Sequence, residues 1–275
     1  MIWSPAKESK RGIILRQSFM YNYSIWHFLR YVTLADVVNK LQGTLVLDVG
    51  CGRGMQDFLF EGKTVVGIDQ SFADIREAKR IERTIRKEDD AANDFIVADL
   101  NFPPLREEFD IVICAEVLEH LIDDERALAN MLSMLKNQGF LLLTLPNTQR
   151  SRFSLDALLG NGGLMHRSHI REYKVEDLPN LVRFLPLKTV LLTGIYLDFP
   201  FFNILDFLVY NPKSPWTLRL RFSLFIFMNL FYEKLWRLLE KALWKRATYI
   251  FMLLQKTSTL HNRHLFKPCP AKTQR

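Results

Sequence analysis

Carboxylates and glycines follow three apolar runs in the first half of the chain. Asp48 lies in LVLDVGCGRG, residues 45–54, Asp69 ends VVGID, and Asp99 ends FIVAD. Glycine loses more backbone freedom on folding than any other residue, so three glycines in five residues predict a tight turn or the close approach of a ligand. A carboxylate at the end of the next strand can accept hydrogen bonds from ribose hydroxyls. The spacing Gly-x-Gly-x-Gly does not meet the dinucleotide fingerprint.

A second group of reactive side chains lies further along. AEVLEHL supplies Glu116, Glu119 and His120, and LMHRSHIREY supplies His166 and His169. On a helical turn, residues i, i+3 and i+4 share one face. Three roles stay open for this group: orienting the loop and capping the next helix, acting as a general base on a hydroxyl through His120 or His169, or binding a divalent metal.

The elements that must position these residues follow from the apolar pattern. Strands apolar on both faces alternate with amphipathic helices, which predicts a doubly wound α/β domain with a largely parallel sheet. The predicted strands cover residues 44–50, 63–69, 94–100, 109–115, 140–147, 187–196 and 246–256. The predicted helices cover 19–41, 71–90 and 123–139, the last one capped by Gly139.

Four of these segments together resemble a known family. In their order and spacing, LVLDVGCGRG, VVGID, FIVADL and FDIVICAEVLEHL are similar to the class I S-adenosylmethionine-dependent methyltransferases, and especially to their type 11/12 small-molecule branch. The resemblance covers roughly residues 40–196 and 246–256. It implies a Rossmann-like sheet of seven strands, S-adenosylmethionine as the cofactor, and an enzyme that transfers its methyl group.

The resemblance also implies roles for individual residues. The first loop would surround the methionine part of the cofactor, with Asp48, Gly50, Gly52 and Gly54. Asp69 would bind the ribose. Asp99 and Leu100 would border the adenine. Glu116 would lie near the reacting methyl. With His120 and His169 it forms the predicted catalytic set, to which no metal is assigned.

Two alternatives come from the same likeness. The Glu-x-x-Glu-His run with a later histidine resembles the divalent-metal site of small-RNA 3′-terminal 2′-O-methyltransferases, and a similar run occurs in ubiquinone-pathway O-methyltransferases. This implies metal-assisted methylation of RNA ends as one alternative function. The other is a non-catalytic protein that binds the cofactor and keeps the fold as a membrane-associated scaffold.

Composition bounds the cellular setting. The 275 residues carry a formal charge of +7, which suits an anionic partner. Three cysteines without metal-type spacing indicate neither a disulfide framework nor a zinc site. Neither a signal peptide nor a run of about 18 uncharged apolar residues is visible. We therefore expect a cytoplasmic protein, with peripheral contact to the inner membrane face.

That contact is predicted for an insertion before the last strand. Residues 216–246 contain seven Lys or Arg against two acids, interleaved with Trp, Phe and Leu. This composition is typical of an interfacial helix on an anionic leaflet, and a lid over the active site or a dimer interface is the alternative. The absence of a recognition module disfavours nucleic acid. The expected acceptor is therefore a hydroxyl of a small-molecule, glycan or lipid-linked substrate.

The chain is thus divided into four parts. They are an N-terminal helical segment at residues 1–43, the cofactor-binding domain at 44–198 plus 246–256, the hydrophobic basic insertion at 199–245, and a flexible basic tail at 257–275.

Overall fold

A computed structural model describes residues 25–86, 93–102, 105–106, 109–150, 168–195 and 243–257. Within this part of the chain lies one seven-stranded sheet with the order β3-β2-β1-β4-β5-β7-β6. The strands are β1 (Leu45–Val49), β2 (Thr64–Asp69), β3 (Asp94–Val97), β4 (Phe109–Ala115), β5 (Leu135–Pro146), β6 (Leu187–Ile195) and β7 (Tyr249–Lys256).

The pairing confirms the predicted doubly wound α/β fold. Strands β1 to β5 pair in parallel, whereas β7 runs antiparallel to both β5 and β6. Parallel neighbours bring their carboxyl ends to one edge, and β1 lies at the point where the strand order reverses. The ends of β1, β2 and β4, which precede the predicted site residues, therefore meet at that edge.

Helices cover both faces of the sheet. Those of the described residues are α1 (Ile25–Val38), α2 (Phe72–Ile85), α3 (Asp124–Met134) and the short α4 (Leu178–Val182). The side chain of Ser71 accepts a hydrogen bond from the Asp74 amide at the start of α2, and Asp123 accepts one from the Arg126 amide at the start of α3. Both caps satisfy amides that the first helical turn leaves unpaired.

The predicted end of α3 is wrong. The helix stops at Met134 and β5 begins at the next residue, so Gly139 lies inside a strand instead of capping a helix. The pairing of β4 with β5 shifts register between Phe109 and Ile111, which leaves residues 136–139 as a bulge. A side chain at Gly139 would come within 2.9 Å of the Asp110 carbonyl oxygen, so close backbone approach explains the glycine.

Two apolar clusters form the core, one on each face of the sheet. The first joins α1 and α2 to one face, and the second joins α3 and α4 to the other. Residues 199–242 of the predicted insertion lie outside the described residues, as do 1–24 and 258–275. Among the described helices, none is long and apolar enough to cross a membrane.

Candidate active site

The first loop turns sharply after β1. Gly50, Gly52 and Gly54 have φ of +70°, +53° and +66°, a left-handed conformation that side chains disfavour. A Cβ at Gly50 would overlap the Val117 side chain, and one at Gly54 would lie 2.6 Å from the Phe95 ring. At Gly52 a Cβ would meet nothing within 4 Å. Packing thus explains two glycines, while the third presents bare backbone to open space.

Asp69 is held against this loop at the end of β2. Its Oδ2 accepts a hydrogen bond from the Gly52 amide at 2.9 Å, and its Oδ1 accepts one from the Ser71 amide at 2.8 Å. These bonds fix the carboxylate at the carboxyl edge of the sheet. The structure therefore brings together the loop and the carboxylate that the sequence predicted to act on one ligand.

Asp99 lies just beyond β3, the neighbour of β2. Its Oδ1 accepts hydrogen bonds from the Gln70 side-chain amide at 3.0 Å and from the Asn101 amide at 2.8 Å. The bond from Gln70 ties Asp99 to the residue that follows Asp69, and Leu100 beside it is buried. The three predicted cofactor carboxylates thus belong to one edge of the sheet.

Asp48 is turned inward beneath the loop. It is fully buried, and its Oδ2 accepts a hydrogen bond from the Gln56 side chain at 2.7 Å. It also contacts the carboxyl of Asp57, which is 1% exposed. Burial raises the pKa of Asp48 to about 6 and raises that of Asp57 well above its ordinary value, since the charge of Asp48 adds to burial there.

Glu116 follows β4 in a strained conformation. Its φ is +59°, which is uncommon for a residue with a side chain. Its Oε1 lies 3.6 Å from Nη1 of Arg30, which α1 brings into the site, and both side chains are largely buried. Burial raises the pKa of Glu116, and the Arg30 guanidinium acts in the opposite direction.

The expectation that Glu116, Glu119 and His120 share one helical face is wrong. The helical turn contains Leu118–His120 alone, because the left-handed Glu116 precedes it and Val117, at φ −127°, is not helical. Glu116 faces Arg30, whereas Glu119 faces two histidines. The run therefore bends in a way that gives its two glutamates different partners.

Glu119, His120 and His169 form a compact cluster, with one potential ligand atom from each within 4.8 Å of the others. Oε1 of Glu119 lies 4.0 Å from Nε2 of His120 and 3.9 Å from Nε2 of His169. The Nδ1 atom of each histidine contacts an oxygen outside the cluster. Nδ1 of His120 lies 3.1 Å from the Ser168 carbonyl oxygen, and Nδ1 of His169 lies 3.2 Å from Oε1 of Glu172. His166 lies outside the described residues.

This cluster can hold a proton or a cation. Burial and the nearby Glu116 charge raise the pKa of Glu119 to about 9, so its carboxyl is protonated at neutral pH in the isolated protein. Within the described residues, neither oxygen of Glu119 has a hydrogen-bond partner. Both imidazoles direct Nε2 to the Glu119 carboxyl, and the Nδ1 atom of each contacts a second oxygen. Metal-binding histidines are oriented in the same way.

Sequence reasoning missed several of these residues. Arg30 sits in a helix predicted only by its apolar spacing, and no motif marks it. Glu172 follows His169 by three residues and holds it, while Asp57 lies three residues beyond the glycine loop. The positions of Asp57 and Glu172 near predicted residues are a signal that could have identified them, whereas Arg30 required the tertiary structure.

Comparison with known proteins agrees with this geometry. Residues 47–143 match a family model described as a methyltransferase domain. A ubiquinone biosynthesis O-methyltransferase of Rhodopseudomonas palustris is 34% identical over 125 residues, covering 45% of this chain and 47% of that protein. One of the same name from a Bradyrhizobium species is 32% identical over 128 residues, covering 46% and 49%.

A solved structure has the same fold at low identity. The magnesium protoporphyrin IX methyltransferase of Synechocystis, solved with S-adenosylhomocysteine bound, superposes with a TM-score of 0.55 at 16% identity, covering 90% of this chain and 94% of that one. The matched segment spans about half the length of the curated relatives.

Proposed function

Because residues 47–143 match a family model of a methyltransferase domain, we propose that the protein transfers a methyl group from S-adenosylmethionine to a hydroxyl of a small-molecule, glycan or lipid-linked acceptor. The observation that carries the proposal is the pairing of Asp69 with the Gly52 amide across the end of β2. This pairing joins a carboxylate suited to ribose hydroxyls to a stretch of open glycine backbone, as a nucleoside cofactor requires.

The cofactor supplies an electrophilic methyl group on a sulfonium sulfur. The residues of the first loop, Gly50, Gly52 and Gly54, and Asp48 beneath them would surround its methionine part, while Asp69 would bind the ribose. Asp99 and Leu100 would border the adenine. Transfer of a methyl group is a direct displacement, so the protein contributes chiefly by aligning the acceptor oxygen with the methyl.

A hydroxyl acceptor also has to lose its proton. Glu119 is protonated at neutral pH, which leaves the imidazoles of His120 and His169 as the groups able to accept it. His120 is partly exposed, and His169 is buried and held by Glu172. We assign His120 as the base that reaches the acceptor, His169 as its support, and Glu116 as the carboxylate beside the reacting methyl.

The hydroxyl class of acceptor is supported by the relatives, which are named as O-methyltransferases. The lipid-linked class and peripheral contact with an anionic membrane are supported by the sequence of residues 199–245, where Lys and Arg alternate with Trp, Phe and Leu. Sedimentation with vesicles tests the contact: binding to phosphatidylglycerol vesicles, and none to phosphatidylcholine vesicles, is the expected result.

Calorimetric titration with S-adenosylhomocysteine tests the cofactor assignment. We expect saturable binding by the full chain and its loss in Asp69→Ala, with the melting temperature of the free variant as the control for folding. The acceptor is then sought by following labelled methyl into lipid and glycan extracts. Failure of the unmodified protein to bind either S-adenosylmethionine or S-adenosylhomocysteine would refute the proposal.

A metal-assisted reaction, including 2′-O-methylation of RNA ends, is the second candidate. It is favoured by the convergence of Glu119, His120 and His169 with both Nδ1 atoms held from behind. These three residues fit a divalent ion, which would polarise vicinal acceptor oxygens. Activity that is unchanged by EDTA and by added Mg²⁺, Mn²⁺ or Zn²⁺ excludes it, and gel shifts with small RNAs separate the RNA acceptor from the small-molecule one.

A non-catalytic scaffold is distinguished by the same assays. Such a protein would bind S-adenosylhomocysteine but transfer no label to any extract, with or without metal.

A further inference from the structure

Asp57, which lies beside Asp48 beneath the glycine loop, has no role in the proposed function. Asp48 belongs to the end of β1 and is 0% exposed, while Asp57 begins the one-turn 3-10 helix Asp57–Leu59 and is 1% exposed. Their carboxyl groups lie close enough to share a hydrogen bond when one of them is protonated. A hydrogen bond between two carboxyls requires a proton on one of them, because two carboxylates can only accept.

The surroundings decide which carboxyl carries that proton. Oδ2 of Asp48 accepts a hydrogen bond from the Gln56 amide, and the charge of Arg30 also favours its ionised form. Among the described residues, neither oxygen of Asp57 accepts a hydrogen bond that would stabilise a carboxylate. The charge of Glu82 disfavours its ionisation further. Asp48 is therefore the anion of the pair and Asp57 the acid.

Other titratable groups face the pair but do not reverse this order. Asp69 disfavours the charge on Asp48 from the end of β2. The Cys51 thiol lies beside the pair, and its burial and the charge of Asp48 raise its pKa, so it stays neutral. The pair thus contributes one negative charge under the loop at neutral pH.

We propose that Asp57 is a positioning residue, which donates its proton to Asp48 and thereby keeps Asp48 ionised beneath the loop that receives the cationic methionine part of the cofactor. This inference rests on the proposed function, since it requires that the loop binds the cofactor. It adds a residue that neither the glycine motif nor its spacing identifies. It also predicts how cofactor binding responds to acid.

The predicted response follows from the ionisation of Asp48. Its pKa lies at about 6, so binding that requires its charge is constant between pH 7 and pH 8 and weakens on acidification. One unit below the pKa, the affinity falls about tenfold. A neutral hydrogen-bond donor in place of Asp57 preserves this midpoint. An apolar residue of similar size removes the donor and moves the midpoint to higher pH.

Calorimetric titration with S-adenosylmethionine from pH 5 to pH 8 tests the inference, because S-adenosylhomocysteine lacks the sulfonium charge. We expect Asp57→Asn to bind as the unmodified protein does, with the same pH midpoint, and Asp57→Leu to bind more weakly at pH 7 with a raised midpoint. Asp48→Asn serves as the control for other titrating groups, including the histidines, because it binds weakly but with no step near pH 6. Melting temperatures of the free variants report folding separately.

The outcomes separate this inference from the proposed function. If the unmodified protein fails to bind at every pH, the cofactor assignment itself is refuted. If the protein binds but Asp57→Asn loses affinity as severely as Asp57→Leu, the donated proton is not what matters and the inference is overturned. A pH step that persists unchanged in Asp48→Asn also overturns it.

Discussion

The substitution Gly52→Ala tests whether the open face of the glycine loop binds the cofactor, because its effect on stability and its effect on cofactor affinity can be measured separately. Gly52 has φ +53° and free space where a Cβ would lie. Alanine in this left-handed conformation costs roughly 1–2 kcal/mol, which for a domain of this size lowers the melting temperature by about 2–4 °C per kcal/mol. The fold should therefore survive. The added methyl, however, projects into the space assigned to the cofactor.

Gly62 provides a matched control for this substitution. Its φ is +68° and a Cβ there would also meet nothing within 4 Å, yet it precedes β2 and so lies at the opposite end of that strand from Asp69. Gly62→Ala should cost the same stability, with no effect on the site. We expect Gly52→Ala alone to lose more than about tenfold in affinity for S-adenosylhomocysteine, equivalent to 1.4 kcal/mol.

Calorimetric titration and thermal denaturation of the two variants give both quantities. Two results would refute the reasoning. If Gly52→Ala binds as tightly as the unmodified protein, the open face of the loop is not the cofactor site. If Gly62→Ala loses affinity equally, the loss reflects general strain in the domain.

Three further substitutions test the framework around the site by thermal denaturation. Arg30→Met should lower the free energy of unfolding by about 3 kcal/mol, because it leaves Glu116 buried without its cation. The double variant with Glu116→Gln should recover part of this stability. If it recovers none, Arg30 and Glu116 do not form an ion pair. Asn147→Ala removes the buried amide that bonds the carbonyl oxygens of residues 245 and 247, at a cost of about 1–3 kcal/mol. Gly194→Ala should cost a similar amount by overpacking β6 against the Trp244 backbone, and an unchanged melting temperature would show that this contact is absent in solution.

The fold was predictable because its strands are buried on both faces. Such strands read as short continuous apolar runs, and their alternation with polar amphipathic helices leaves few arrangements other than a doubly wound sheet. The antiparallel pairing of β6 with β7 is not visible in this pattern of apolar runs. The seven strands of the described residues match the predicted runs closely.

The boundary of α3 was not predictable for a definite reason. Residues 135–139 read Leu-Lys-Asn-Gln-Gly, a good C-terminal helical sequence with a glycine in the capping position. Pairing of Leu135 with Phe109 of β4 overrides that local preference, and the glycine is required instead by the approach of the Asp110 backbone. Tertiary hydrogen bonding, which single-sequence reasoning cannot weigh, decided the outcome.

The site was predictable where a motif and a strand end coincide, as for Asp69 and the glycines. It was not predictable where residues distant in sequence meet, as for Arg30 with Glu116 or Glu172 with His169. The bend at Glu116 is of the second kind, because nothing in AEVLEHL distinguishes a left-handed residue from the start of a helix.

Arg30 connects helix α1 to the carboxyl groups at this end of the sheet. Its guanidinium favours the charged forms of Asp48 on the cofactor side and of Glu116 and Glu119 on the acceptor side. It also lies over the ring of Tyr249, at 5.4 Å from the centroid, which links α1 to the last strand. The negative charges of Asp48, Asp69 and Glu116 outnumber the positive charge of Arg30. This excess of negative charge, on one buried and two partly exposed carboxyl groups, favours a cationic ligand such as a sulfonium cofactor.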